Sequence, residues 1–527
     1  MTRWAMAVDL NRCVGCQTCT SACKHANATA PGVQWRKVLD FEVGEFPDVH
    51  RAFVPVGCMH CEDPPCMDVC PSTATKRRDD GIVTIDYDLC IGCAYCAVAC
   101  PYQARWRVDL PNAAFGGLSM RHEVTGEHWE RRGVAQKCTF CIDRVDPGLE
   151  QGLMPGIDPQ ATPACVNSCI ADALHFGDMD DPHSNVSKLL LEHKHYRMHE
   201  DVGTGPGLFY LWNHDTSDQT PLESAPMVAD PVGLGGVTPR LQTSWDWRAA
   251  ANFIGGGTGT GLFAATTLVG LFALPQATFL WPAALFALVL VATGLFCVWL
   301  EIGRPWRFLN VFFHAKRSWM TREALAAPPF FILALLAFYT AWPMMWLAAT
   351  LAGLLFLYCQ GQILRASKGI PVWRQSGIVP LIMATGLTEG AGLFAAMAVL
   401  AGLDAALLKT TALALLILVL IRYFAWYSYR KRLGQSGAPT KAFSALDSGL
   451  LNLSLKPQLA VLAFAAAGFV FPALLVPGGL LAVVSGWVFK FTLITKAAFN
   501  QGYAIEQMPV RGAGNSAPGI KPGWTLS

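Results

Sequence analysis

The second half of the chain consists mainly of long apolar segments. We count eight beyond residue 250, each of about twenty residues, the length that spans a bilayer. They cover roughly 252–274, 279–300, 324–342, 344–364, 378–402, 405–427, 457–476 and 479–499. A soluble helical core would show polar faces at helical period, and these segments do not. The pattern predicts an all-α bundle of eight transmembrane helices in a lipid bilayer over 250–500.

The first half of the chain has a different pattern, and residues 1–200 consist of short turn-rich stretches. Within it, Ile82–Asp86 alternates like a short strand, so a small α+β domain is predicted. Residues 201–249 are rich in Pro, Gly, Ser, Thr and Asp, as in 215–221, and predict a linker or extended arm. Residues 501–527 predict a flexible tail.

One glycine-rich run, Gly255–Gly261, imitates a nucleotide-binding loop. It follows no predicted strand and lacks the Lys-Ser/Thr pair, so close helix packing is the better interpretation. A net charge of +2 gives no reason to expect a nucleic-acid partner. The first ten residues contain neither an apolar signal core nor a twin arginine, so they predict no export of this domain.

Sixteen of the eighteen cysteines lie in the first 169 residues, in four groups with ferredoxin spacing. Sixteen thiolates at four per cubane predict four [4Fe–4S] clusters. The spacing within a group is too tight for a typical disulfide framework, and only group four, with its long internal gap, resembles a zinc site. Group one is Cys13, Cys16, Cys19 and Cys23; group two is Cys58, Cys61, Cys66 and Cys70; group three is Cys90, Cys93, Cys96 and Cys100; group four is Cys138, Cys141, Cys165 and Cys169.

Groups one and three share the spacing C-x₂-C-x₂-C-x₃-C, and groups two and three end in Cys-Pro. This repeat predicts two dicluster ferredoxin modules, the outer one split by the inner. In two-cluster ferredoxins the fourth cysteine of each run binds the other cluster. By that rule the four sets are Cys13, Cys16, Cys19 with Cys169; Cys138, Cys141, Cys165 with Cys23; Cys58, Cys61, Cys66 with Cys100; and Cys90, Cys93, Cys96 with Cys70.

Charges in the loops predict the orientation of the bundle. With eight spans, the N-terminus and the loops after spans two, four and six share one side. Those loops carry thirteen basic residues, whereas the opposite side has only Lys409. By the positive-inside rule the cluster domain faces the cytoplasm from the inner membrane. The alternative is that these charges dock the cluster domain or a partner. They are Arg304, Arg307, Lys316, Arg317, Arg322, Arg365, Lys368, Arg374, Arg430, Lys431, Arg432, Lys441 and Lys456.

The sixteen-cysteine pattern resembles the four-cluster iron–sulfur subunits of the DMSO reductase superfamily of molybdenum enzymes. Related subunits of nitrate reductase carry tryptophan at the second cysteine of one group and hold a three-iron cluster. Here Cys93 is intact in Cys90-Ile-Gly-Cys93-Ala-Tyr-Cys96, so the resemblance implies four [4Fe–4S] clusters. The segment Cys100-Pro-Tyr-Gln-Ala-Arg105 is also similar to this family.

The membrane half resembles the haem-free anchors of the same superfamily, which exchange electrons with quinone. Haem b in a bundle needs histidines on facing helices, and beyond residue 250 the only histidine is His314. The segments 301–305 and 318–323 look like the loop of that anchor family, although the family often has His where this chain has Glu301. For quinone we select Glu301, Arg304, His314 and Glu323, whose alternative role is to anchor helix ends.

Two ionisable residues are predicted deep in the membrane. Glu389 lies in the middle of the fifth segment and Lys490 in the middle of the eighth. Charges at such depth are costly and mark functional positions, so Glu389 joins the quinone candidates. We also expect Glu389 and Lys490 to pair.

These features together predict a non-catalytic electron-transfer and membrane-anchor subunit. Electrons would pass between a separate molybdopterin-containing subunit, of the sulfite dehydrogenase or DMSO/sulfur-compound reductase type, and membrane quinone. One alternative attaches the same clusters to a hydrogenase or another quinone-linked dehydrogenase. An alternative of a different class is a membrane redox sensor or metal-binding scaffold, which predicts a signalling domain that the pattern does not contain.

Overall fold

The computed structural model describes residues 2–43, 50–109, 128–212, 238–272, 277–434, 436, 438–449 and 451–503. At 42, 43, 50, 272 and 277–279 only the backbone is described. The polar stretch 215–221 and the tail from 504 onward, for which we predicted a linker and flexibility, lie outside these residues.

The first half contains ten strands and six helices among the described residues. The strands are β1 (Trp4–Asp9), β2 (Arg36–Val43), β3 (His50–Gly57), β4 (Thr75–Arg77), β5 (Val83–Ile85), β6 (Trp106–Arg107), β7 (Ala135–Gln136), β8 (Leu174–Asp178), β9 (His195–Tyr196) and β10 (Leu208–Leu211). The helices are α1 (Thr18–Ala26), α2 (Pro65–Asp68), α3 (Tyr95–Ala99), α4 (Ile142–Glu150), α5 (Ala164–Asn167) and α6 (Asn185–Glu192). The predicted strand at 82–86 is present as β5.

The N-terminal strand is the centre of a four-stranded sheet ordered β8-β1-β10-β9. β1 runs antiparallel to β8 and parallel to β10, with Met6 opposite Leu208. Residues 4–8 are all buried, because one face of β1 packs on the cysteine-rich core and the other on α6. Burial on both faces explains why this strand is apolar without alternation. Because β10 completes the sheet, the first domain continues past the predicted boundary at residue 200.

Groups one and three adopt the same local backbone. Gly15 and Gln17 have φ of 69° and 63°, and Gly92 and Ala94 have φ of 74° and 57°. These left-handed residues turn the chain around before α1 and α3 begin. A Cβ at Gly92 would lie 1.9 Å from the carbonyl oxygen of Gly133, so only glycine fits there. The repeat seen in the sequence is therefore also a repeat in conformation.

Eight further long or apolar helices lie near the eight predicted positions. Six are long and apolar enough to cross a membrane, α14 is a shorter apolar helix, and α7 is diluted by Gly and Thr. Several apolar helices thus fit a membrane anchor, while the count of eight spans remains a prediction. The helices are α7 (Trp247–Phe272), α8 (Ala277–Glu301), α9 (Trp319–Thr340), α10 (Pro343–Ala366), α11 (Ile378–Leu400), α12 (Ala405–Gly434), α14 (Leu455–Ala467) and α15 (Leu475–Thr495), with the short helix α13 (Thr440–Asp447) before α14.

The glycine-rich α7 lies at the centre of the bundle and packs against α8, α10, α11 and α15. A Cβ at Gly261 would lie 2.2 Å from the carbonyl oxygen of Gly386, and one at Gly257 would lie 2.1 Å from Nζ of Lys490. The absence of side chains lets neighbouring helices approach closely. The interpretation of this run as a packing surface is confirmed.

The two halves of the chain share one continuous hydrophobic core. It joins cysteines of groups two and three to apolar residues of α7, α10, α11 and α15. The segment after α8 lies along group three, where the backbone N–H groups of Gly303 and Arg304 donate to the carbonyls of Gly92 and Ile91. Near the C-terminus, the Tyr503 hydroxyl donates to the carbonyl of Tyr102. Residues 501–503, predicted as the start of a flexible tail, therefore contact the first domain.

Candidate functional site

Two cavities in the first domain are lined by cysteines from different groups. The cavity lining includes four cysteines in each case, three from one group and one from another. The first set is Cys58, Cys61, Cys66 and Cys100. The second set is Cys13, Cys16, Cys19 and Cys169. Chain segments distant in sequence thus converge on each cavity.

The other eight cysteines also gather across groups. Burial raises the pKa of Cys93 well above its usual range, and the nearby thiols of Cys96, Cys70 and Cys90 add to the effect. Burial likewise raises the pKa of Cys23, and the nearby thiols of Cys138, Cys165 and Cys141 add to the effect. Buried thiols of this kind would carry charge only against a strong compensating cation.

The donor set fits iron–sulfur clusters. Backbone N–H groups of Ala135, Phe140 and Ala173 donate to the sulfurs of Cys90, Cys138 and Cys169. Such bonds stabilise cluster sulfur ligands. Within the described residues, no three His, Cys, Asp or Glu side chains are arranged to hold a single metal ion.

A pocket lies where group three meets the membrane helices. Its walls include Cys93 on one side and the carboxyl-bearing residues Glu301 and Glu323 on others. Most of the remaining lining is apolar or aromatic, which suits a hydrophobic ring compound. These residues are Trp245, Ala249, Phe253, Val298, Ile302, Met320 and Ile363, with Asn252 as the polar exception.

Glu323 is buried and held from two sides. Its Oε1 accepts hydrogen bonds of 3.2 Å from the amide nitrogens of Asn252 and Gln360. The side-chain oxygens Asn252 Oδ1 and Gln360 Oε1 are buried and have no partner among the described residues. Unpaired acceptors are costly in an apolar site, so Asn252, which lines the pocket, offers a position for a hydrogen-bond donor of a ligand. Glu301 Oε1 accepts from the backbone N–H of Asp246 at 3.2 Å.

The other three predicted quinone residues lie elsewhere. Arg304 donates to the carbonyls of Arg132 and Trp129, so it docks the first domain. The Nδ1 atom of His314 lies 2.8 Å from the carbonyl oxygen of Cys70. Neither these two residues nor Glu389 lines the pocket.

Glu389 is buried in an ion pair inside the bundle. Nζ of Lys490 lies 2.8 Å from Oε2 of Glu389, and both side chains are fully buried. The Thr258 hydroxyl donates to the same oxygen at 2.7 Å. The predicted pairing of Glu389 with Lys490 is therefore confirmed.

Several residues of the pocket were not selected from the sequence. Trp245 donates from Nε1 to the carbonyl oxygen of Cys93 at 3.0 Å and stacks on Trp373. Asn252 on α7 lines the pocket, and Gln360 on α10 supports it by donating to Glu323; neither has a neighbouring motif. A polar amide within an apolar segment is the one signal that could have marked them.

Comparison with known proteins supports the cluster domain directly. The 4Fe–4S dicluster domain family matches residues 49–114, and the 4Fe–4S binding domain family matches residues 4–25. The chain is 40% identical to a selenate reductase subunit of Mesobacillus selenatarsenatis over 225 residues, which is 40% of this chain and 72% of that protein. It is 37% identical to a sulfite dehydrogenase subunit of Allochromatium vinosum over 228 residues, 40% of this chain and 83% of the relative.

A third relative is a subunit of an enzyme named for its quinone. The chain is 33% identical over 234 residues to the iron–sulfur cluster-binding subunit of menaquinone reductase from Nitratidesulfovibrio vulgaris, covering 40% of this chain and 88% of that subunit. Over its N-terminal ~240 residues the chain belongs to the family of iron–sulfur subunits of DMSO-reductase-family molybdoenzymes. Its relatives are electron-transfer subunits of molybdoenzyme and quinone oxidoreductase complexes. The helical half lies outside these matches.

Proposed function

We propose that this chain is the electron-transfer and membrane-anchor subunit of a molybdopterin oxidoreductase. Its sixteen grouped cysteines would hold four [4Fe–4S] clusters in the crossed sets described above. When bound, the clusters supply one-electron carriers between a separate catalytic subunit and membrane quinone. The observation that carries the proposal is the pocket that Cys93, Glu301 and Glu323 line together.

The pocket supports a quinone ligand by its chemistry. The aromatic and aliphatic walls favour a ring with an apolar tail, and α7, α8, α9 and α10 all contribute residues to the lining. Reduction of a quinone consumes two protons together with two electrons, so a nearby group must exchange protons. Glu323 is suited to this role because it is buried beside a cluster ligand and held by Asn252 and Gln360.

The location and the partner are part of the same proposal. We place the chain in the inner membrane, without haem, with the cluster domain in the cytoplasm. In the described part of the chain, the loop cations Arg304, Arg307 and Arg317 bond directly to the cluster domain, so docking accounts for part of the charge bias. The other ten still outnumber the single cation on the opposite side. A cytoplasmic catalytic subunit of the sulfite dehydrogenase type fits this side, with a DMSO or sulfur-compound reductase as the alternative.

The test is purification of the intact complex from its native membrane. We expect a large subunit that contains molybdenum, and substrate-dependent reduction of a quinone analogue by the complex. Sulfite, DMSO and other sulfur compounds would be compared as electron donors or acceptors. Nickel in the large subunit would instead support the hydrogenase alternative, and a complex inert toward quinone would remove the role of the pocket.

A further inference from the structure

Two arginines are buried in the cluster domain without a carboxylate. Arg36 is 1% exposed and Arg105 is 7% exposed. Among the described residues, neither guanidinium forms an ion pair with Asp or Glu. A buried cation is strongly disfavoured unless an anion compensates it. Each arginine therefore requires negative charge from another source.

A cysteine sulfur lies within 4 Å of each guanidinium group. Nη2 of Arg105 donates to Sγ of Cys66 at 2.8 Å, and Nη1 donates to the Thr75 hydroxyl at 3.1 Å. Nη2 of Arg36 lies 3.9 Å from Sγ of Cys165, and its Nε and Nη1 atoms have no partner among the described residues. Nη2 of Arg36 also donates to Sδ of Met6 at 3.0 Å, so this guanidinium has sulfur neighbours and no carboxylate partner among the described residues.

Each arginine interacts electrostatically with cysteines of two crossed sets. The sulfurs acting on Arg105 belong to Cys66, Cys58 and Cys100 of one set and to Cys96 of the next. Those acting on Arg36 belong to Cys19 of one set and to Cys165, Cys138 and Cys23 of another. One buried arginine therefore serves each of the two dicluster modules.

We propose that Arg36 and Arg105 set the reduction potentials of the clusters in their own modules. The inference rests on the proposed binding of clusters by these cysteines. Each added electron adds one negative charge, and a fixed buried cation stabilises the more negative form. Each arginine therefore raises the potentials of both clusters beside it. Because Arg105 bonds directly to Cys66, its effect is largest on the cluster held by group two, whereas the effect of Arg36 is spread over two clusters.

Redox titration of the purified full chain, followed by electron paramagnetic resonance, tests this. We expect Arg105→Met to lower the potentials of the clusters bound by groups two and three, and to leave the other two unchanged. Arg105→Lys keeps the charge and should hold the potentials close to those of the native chain. Arg36→Met should lower the reduction potentials of the other two clusters, which are those bound by groups one and four. Arg51→Met removes an exposed arginine that pairs with Asp40, and it should shift none of them.

Iron content separates the possible failures. A native chain with fewer than about sixteen iron atoms would contradict the proposed four clusters themselves. Four retained clusters with unshifted potentials in Arg105→Met would overturn only the role of the arginine. If Arg105→Met loses a cluster, Arg105→Lys provides the test instead. An Arg105→Lys chain with full iron content and native potentials supports the role of charge. An Arg105→Lys chain with full iron content and lowered potentials contradicts it.

Discussion

The indole nitrogen of Trp245 donates a 3.0 Å hydrogen bond to the carbonyl oxygen of Cys93. The same side chain forms one wall of the pocket that contains Glu301 and Glu323. Trp245 also stacks on Trp373, with ring centroids 5.5 Å apart, which fixes its orientation. A single residue just before α7 thus links a candidate cluster ligand to the proposed quinone site.

We expect Trp245→Phe to weaken quinone reduction by about tenfold, since a bond of about 1 kcal/mol and the exact ring position are lost. The measurement is the rate of quinone-analogue reduction by the complex at several quinone concentrations. Trp306→Phe is the control because Trp306 is 86% exposed and does not line the pocket. Equal rates for both variants would remove Trp245 from the site.

Glu323→Gln should lower the turnover of quinone by roughly 10²-fold, because it removes the proposed proton-exchanging group while keeping its shape. Cluster content, measured as iron per chain, should not change. Glu192→Gln makes the same change at an exposed position of α6 and should leave turnover at the native level. Native turnover in Glu323→Gln would show that protons reach the quinone by another group.

Cys100→Ser should remove the cluster of the set that contains Cys58, Cys61 and Cys66, since Cys100 lines their cavity. Cys70→Ser should instead affect the set with Cys90, Cys93 and Cys96. The measurement is iron content together with the spectroscopic signal that each variant loses. The opposite result is that Cys100→Ser removes the cluster of Cys90, Cys93 and Cys96, and Cys70→Ser removes the cluster of Cys58, Cys61 and Cys66. It would show that the four cysteines of each run bind one and the same cluster.

Breaking the buried pair should destabilise the bundle. We expect Glu389→Gln or Lys490→Met alone to cost about 3–5 kcal/mol, because each leaves its partner uncompensated in an apolar interior. The double variant should recover most of the loss. Thermal unfolding in detergent gives the comparison. Single variants as stable as the native chain would indicate that water reaches the pair.

The orientation can be read by labelling single cysteines with an impermeant thiol reagent. We expect Lys316→Cys, on the loop after α8, to react in inverted vesicles and Lys409→Cys to react in intact spheroplasts. Both side chains are exposed in the structure. The native chain, treated in parallel, gives the background of its own cysteines. The reverse result would place the cluster domain on the outer side.

The local features were predictable because they depend on neighbours in the chain. Apolar segments of membrane length gave helices near every predicted position, and alternation at 82–86 gave β5. The domain boundary at 200 was less predictable, since β10 is assigned to the sheet only by its pairing with β1. A stretch of four apolar residues does not reveal from its own pattern which strand it will join.

Sixteen cysteines with ferredoxin spacing and the apolar segments that follow them are recognisable from the amino-acid sequence, because ligand spacing and hydrophobic length are local properties. Which side chains meet depends on the fold. It brought Glu301 and Glu323 to one pocket with Cys93, directed Arg304 and His314 to the docking surface, and buried Arg36 and Arg105 among thiols. The physical reason is that these contacts depend on how distant segments pack, and the cost of burying charge is set by the neighbours that packing supplies.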